Sequence, residues 1–294
     1  MSSPKSNEHT IYREKRSLLP KWCVGGIIIP HLQVDSETIL FYEEKGEGQT
    51  VIFIHGVMMS SKFFYKQLAQ LSSDYHTIAL DLRGHGKSSK VESGHTVAQY
   101  ARDLKAFMEK LSLTDVILVG WSMGAFVVWD YINQFGTDNI KGITIVDQSA
   151  SDYTWPDWEF GAFDFQAISN VAQAIQEDQA TFNSNFIYGM YKEKPDPDEF
   201  TWILQEMNKL PASIASTIVF NQTAVDYRET LSNVTVPSLI CFGTVGFFPI
   251  EAGNYIKERT PNATLIPFED SSHLLFLEET EKFNHELEKF IRSL

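Results

Sequence analysis

Cysteine is nearly absent from this chain. Its 294 residues contain two, Cys23 and Cys241, far apart and without framework spacing. That excludes a disulfide-stapled fold and removes any need for an oxidising compartment. Cys241 sits in the apolar run Leu239-Ile240-Cys241-Phe242 and reads as a buried free thiol. Long apolar runs are also lacking. Residues 24–29 are apolar but far too few to span a bilayer, and the first twenty residues are polar and mixed in charge. A cytoplasmic location is therefore the expectation, and the sequons at Asn221, Asn233 and Asn262 read as chance. Positive charge is short as well: 24 Lys and Arg face 38 Asp and Glu, a formal charge of −14. Such a surface repels phosphate backbones and anionic lipids, so neither nucleic acid nor membrane is expected as a partner. No clustered His, Cys or carboxylate spacing points to a metal, no cofactor is implied, and no internal repeat or low-complexity tract is evident.

What is present is a 43% hydrophobic chain, long for a minimal domain and short for two. After a polar N-terminal extension, set at residues 1–30, apolar β-rich runs alternate with helical patterns. Strands are expected at 38–42, 51–55, 76–81, 116–120, 142–147, 238–243 and 263–268. Helices are expected near 97–113, where Tyr100, Leu104, Phe107, Met108 and Leu111 share a face, and at 278–294, with Phe283, Leu287, Phe290 and Leu294 inward. Strands alternating with helices predict a mostly parallel, doubly wound α/β sheet. Between 149 and 234 strand signals give way to helical, aromatic-rich segments. This predicts a helical cap inserted into a core made of 31–148 and 235–294.

The strongest chemical signal is Gly120-Trp121-Ser122-Met123-Gly124, which fits G-x-S-x-G between a buried strand and a helix pattern. A serine at a strained strand-to-helix turn projects its Oγ outward. Small residues two before and two after leave room for that turn. The free N–H groups of the new helix favour a developing oxyanion.

With these features in this order the chain resembles the α/β-hydrolase family from Thr38 to Leu294. The resemblance implies a nucleophilic Ser122 and an oxyanion hole formed by the backbone N–H groups of Val57, after His55-Gly56, and Met123. It makes the Asp81 to Ser88 turn structural, held by Asp81 and Arg83. It places the general base on the loop after the last strand, where His273 stands, in preference to His85. An imidazole titrates near neutrality and can take and return the serine proton. His31, His76 and His95 read as structural or exposed.

The third member departs from the common pattern. Gly246 occupies the position where the family usually has an aspartate, and the next carboxylate is Glu251 at the start of a helix. Asp147, ending the strand after the nucleophile's, is similar in place to the acid of certain haloalkane dehalogenases, and the run to Trp155-Pro156-Asp157-Trp158 resembles theirs in length. Asp147, Glu251 and no acid at all stay open. The expected reaction is hydrolysis of a small to medium apolar carboxylic ester or lactone through an acyl-enzyme. Trp155, Trp158, Phe186 and Tyr188 are expected in the substrate pocket, since no Arg or Lys cluster in the cap would hold an anion. Rival readings are C–C bond hydrolysis or cofactor-free oxygen chemistry on the same fold, and a small-molecule receptor on a weakened site.

Overall fold

A computed structural model describes residues 22–24 and 27–294 of the chain. Of the N-terminal extension set at residues 1–30, residues 1–21, 25 and 26 lie outside the described residues. Strands β1 (Trp22–Val24) and β2 (Ile27–Ile29) pair antiparallel as a separate hairpin.

The core is one eight-stranded sheet. In chain order its strands are β3 (His31–Gln33), β4 (Ile39–Lys45), β5 (Thr50–Ile54), β6 (His76–Leu80), β7 (Val116–Trp121), β8 (Ile140–Val146), β9 (Ser238–Gly243) and β10 (Ala263–Phe268). In space the order is β10-β9-β8-β7-β5-β6-β4-β3. The pairs β3·β4 and β4·β6 are antiparallel and every other pair is parallel. The predicted strands fall here within a few residues. The central ones were legible because a parallel strand covered on both faces reads as an unbroken apolar run: every residue of β6, β7 and β9 is buried. Edge strand β10 is only partly covered.

Helices α1 (Tyr65–Leu71), α2 (Val97–Lys110), α3 (Met123–Phe135), α7 (Ile250–Arg259), the single turn α8 (Leu275–Glu278) and α9 (Thr280–Ser293) cover the sheet. Thr96 starts α2, its hydroxyl accepting from the Gln99 N–H at 3.1 Å. Tyr100, Leu104, Phe107 and Met108 are buried beneath it as their spacing predicts. The last helix is shorter than expected, because the chain turns once at α8 and breaks at Glu279 before α9.

The chain runs from β5 to β6 on one side and then returns to β7 on the other. The carboxyl ends of β5 and β7 thus flank the switch point where open α/β sheets bind ligands. Residues between β8 and β9 add no strand to the sheet. They carry α4 (Phe165–Met190), α5 (Pro197–Met207) and α6 (Ala212–Ala224). Local chemistry sets their ends. Asp164 accepts from the Ala167 N–H at 2.7 Å, and Asp196, ahead of Pro197 at the first helical position, accepts from Asp198 and Glu199 at 2.9 Å each. Inside α4, Asp178 is non-helical (φ −153°, ψ 81°) and accepts from both the N–H and the hydroxyl of Thr181. It caps the second half of the helix and kinks it. Among the described residues no helix is long and apolar enough to cross a membrane.

Candidate active site

Ser122 has φ 54° and ψ −127°, a conformation costly to any residue with a Cβ. The flanking glycines explain how it is held. A Cβ on Gly120 would stand 2.5 Å from the Gly124 carbonyl oxygen, and one on Gly124 would stand 2.1 Å from that of Ile54. Neither position admits a side chain, so the turn can close only with both glycines. The Ser122 N–H donates to the Val146 carbonyl at 3.0 Å, and its own carbonyl accepts from Ala125 at 2.8 Å. Met123 is the first residue of α3, so its N–H has no intrahelical acceptor.

Across the switch point, a Cβ on Gly56 would lie 3.0 Å from the Ser122 Cβ. Gly56 therefore approaches the serine as only glycine can, and Val57 follows it onto the cavity wall. His55 holds this loop. Its Nε2 accepts from the Leu82 N–H at 3.0 Å, so Nδ1 carries the proton and donates to the Gly56 carbonyl at 2.7 Å. Burial lowers the His55 pKa to about 4, keeping the ring neutral.

His273 lies on the loop after β10, is buried, and lines the same cavity as Ser122. Trp121 fixes that loop by donating its indole N–H to the His273 carbonyl at 2.9 Å. The imidazole packs against the rings of Phe247 and Trp121, 4.7 and 5.4 Å between centroids. Its Nδ1 donates to Asp147 Oδ2 at 2.6 Å. The other oxygen of Asp147 accepts from the Gly243 N–H at 3.0 Å. Asp147 is 2% exposed and, like Ser122, sits at positive φ (45°) on leaving its strand.

The position usual for the acid carries no carboxyl. Gly246 has φ 138°, strained for any residue with a Cβ, and a Cβ there would make Ser272 Oγ, 2.1 Å away, rotate aside. Glu251 is exposed in the first turn of α7. His85 is buried outside the cavity, with Nδ1 on the Arg83 carbonyl at 3.0 Å. The turn before it is tied as expected. Asp81 accepts from the N–H groups of Ser61 and Lys87 at 2.6 Å each, and Arg83 pairs with Asp103 at 2.8 Å. His76 bonds Glu44 at 2.6 Å and His95 bonds the Val91 carbonyl at 2.7 Å, both away from the site.

The cavity has a volume of about 180 Å³. Its wall is mostly apolar: Phe163, Phe182 and Phe186 come from the segment between β8 and β9, and Phe247 and Phe248 from the loop after β9. Of the four expected pocket aromatics, Phe186 is on this wall, stacked on Phe182 one helical turn away with centroids 5.9 Å apart. The other three are not. Tyr188, two residues on and so turned roughly 200° about the helix, faces outward, 47% exposed, and stacks on Phe200. Trp155 and Trp158 spend their indole N–H groups on Ser151, at 3.0 Å each, and Trp158 packs on Tyr255 of α7. They close the first loop of the insertion against the core. Spacing on α4 could have separated Phe186 from Tyr188. Nothing in the sequence separated the tryptophans.

Three polar residues on the wall escaped the sequence reading: Gln148, Asp152 and Gln222. Gln148 Nε2 donates to Asp152 Oδ1 at 2.6 Å, and Gln222 Nε2 donates to Asp152 Oδ2 at 3.1 Å. Burial raises the Asp152 pKa to about 7 against these bonds and the nearby His273.

Comparison with known proteins settles the lineage. A family profile described as alpha/beta hydrolase fold matches residues 49–280. The chain belongs to this family. It is 27% identical over 268 residues to the AB hydrolase superfamily protein YisY of Bacillus subtilis, covering 90% of this chain and 99% of that one. It is 28% identical over 265 residues to the non-heme chloroperoxidase CPO-A1 of Kitasatospora aureofaciens, covering 86% and 95%. Among solved structures, an esterase from Exiguobacterium antarcticum superposes with a TM-score of 0.86 at 23% identity, covering 90% of this chain and all of that one.

Proposed function

We propose that this α/β-hydrolase is a serine hydrolase cleaving small to medium apolar carboxylic esters or lactones through an acyl-enzyme. The observation that carries the reading is the hydrogen bond from His273 Nδ1 to buried Asp147, with His273 and Ser122 on one cavity wall. With Nδ1–H donated to the carboxylate, Nε2 is the free base of the imidazole. It takes the Ser122 proton as Oγ attacks the substrate carbonyl. The N–H groups of Val57 and Met123 receive the oxyanion. His273 returns the proton to the leaving alcohol, and water then attacks the acyl-enzyme by the same route. Asp147 holds the tautomer and stabilises the imidazolium. The phenylalanine wall and the absence of a cation on it favour an uncharged acyl group.

The test joins a fluorophosphonate probe to a panel of p-nitrophenyl esters, lactones and diketones. The reading expects the label on Ser122 and multiple turnovers on short to medium neutral esters. Preference for a dianionic ester, C–C cleavage alone, or a single acyl group released per chain would reject it.

A further inference from the structure

An apolar cavity that contains one buried carboxyl group held between two amides needs a reason beyond ester hydrolysis. Asp152, Gln148 and Gln222 are 2%, 1% and 6% exposed. The first two follow β8, and Gln222 comes from α6 of the insertion. Both Asp152 oxygens accept one amide N–H each. Gln148 spends its amide nitrogen on Asp152 and on the Ser149 carbonyl. Gln222 donates to Asp152, which leaves its carbonyl Oε1 buried with no partner among the described residues. An acceptor buried without a donor costs about 1–3 kcal/mol, so such groups are ordinarily matched. Here the group belongs to a residue that lines the cavity shared with Ser122 and His273. The cluster and the serine line one cavity of about 180 Å³, and the Asp152 carboxyl is close enough to His273 to feel its charge.

We propose that Gln222, Asp152 and Gln148 form a polar subsite that selects substrates carrying an uncharged hydrogen-bond donor, a hydroxyl or an amide N–H, on the acyl chain. The donor bonds to Gln222 Oε1, and the remaining lone pairs of Asp152 lie beside it. Asp152 aligns the Gln222 amide by accepting from Nε2, and because Oε1 is fully buried a donor reaches it only as the wall shifts to admit it. The phenylalanines then bury the carbon chain, and the subsite rejects an analogue that lacks the donor by leaving its own acceptor unpaired. A donor on this wall also fits with the lack of any Lys or Arg there: an anionic group would meet a carboxyl and a carbonyl.

The subsite rests on the hydrolase reading for its reaction, yet it can be tested without turnover. Two isosteric pairs isolate the donor. Methyl 3-hydroxybutanoate is compared with methyl 3-methylbutanoate, and methyl 3-acetamidopropanoate with methyl 5-oxohexanoate. Binding is measured by calorimetry to Ser122→Ala protein, and kcat/KM with the unmodified enzyme. The expected result is tighter binding of the donor ester in at least one pair, by about tenfold or more, and the same order in kcat/KM. The pair that responds tells hydroxyl from amide. In Gln222→Met the donor-to-isostere ratio should fall to about 1, and in Asp152→Asn it should fall in the same direction. A cluster that merely ties the insertion to the core would lower stability in both variants while the ratio was already about 1 in the parent. Equal binding within both pairs in Ser122→Ala overturns the subsite, and this outcome needs neither glutamine nor aspartate variant to fold. A donor preference in binding with no turnover of any ester upholds the subsite and rejects the hydrolase reading.

Discussion

The core half of the site and the half supplied by the insertion are built under different constraints. In the core, Ser122 and Asp147 leave their strands at positive φ, and Gly56, Gly120 and Gly124 sit where a Cβ would collide with backbone or with the serine. In the insertion, Phe182 and Phe186 reach the cavity from an ordinary helix face, and α4 is continuous but for the Asp178 kink. One half holds His273 and Asp147 at hydrogen-bond distance. The other need only be apolar, the right size and on the right side of a helix. The difference teaches that substitutions in the first should act on kcat and those in the second on selectivity.

The largest test of that contrast is Ser122→Ala. It should lower ester turnover on the order of 10⁶-fold, with the thermal midpoint little changed because only one oxygen on the cavity wall is removed. Retention of turnover within a hundredfold would place the chemistry elsewhere. Next comes Asp147→Asn. An amide at 2.6 Å from Nδ1 favours the wrong imidazole tautomer, and kcat should fall by about 10⁴-fold. Glu251→Gln, on the exposed face of α7, should stay within twofold. Adding Gly246→Asp to Asp147→Asn should give no rescue, since φ 138° strains any residue with a Cβ. Recovered activity there would show that the loop after β9 yields more than its geometry allows.

The insertion should respond more mildly. Phe186→Ala opens the wall and is expected to cut kcat/KM for medium-chain esters roughly tenfold, mostly through KM, by the loss of buried apolar contact. Tyr188→Ala, two residues away and facing solvent, should change it less than twofold. Similar losses at both positions would contradict the helix phase. The smallest effect concerns Asp152, which belongs to both halves. Its pKa of about 7 lies above the ordinary 3.8, so the folded chain keeps this proton where the unfolded chain has lost it. Its contribution to stability is then full below about pH 4 and is lost as pH rises through about 7. Urea midpoints of the parent and of Asp152→Asn, compared at pH 5 and pH 8, should shift in favour of the variant at the higher pH. A constant difference would mean that Asp152 titrates as an ordinary aspartate.

Sequence by itself determined what depends on neighbours along the chain. The sheet was legible because buried parallel strands are apolar throughout. The elbow was legible because its glycines stand two residues either side of Ser122, and His273 because it follows the last strand. Even Asp147 could be ranked as a candidate from its place at the end of β8. Tertiary structure decided the questions that turn on distance between remote segments. Asp147 and His273 are 126 residues apart and meet at 2.6 Å because β8, β9 and β10 are adjacent in the sheet. Gly246 and Ser272 meet for the same reason, while the φ of Gly246 disfavours a side chain at the usual acid position. The pocket wall was least legible: an aromatic side chain looks the same in sequence whether it covers a cavity, as Phe186 does, or closes a loop, as Trp158 does. Asp152 and Gln222, 70 residues apart, joined that wall only when α6 folded back over the carboxyl ends of the strands.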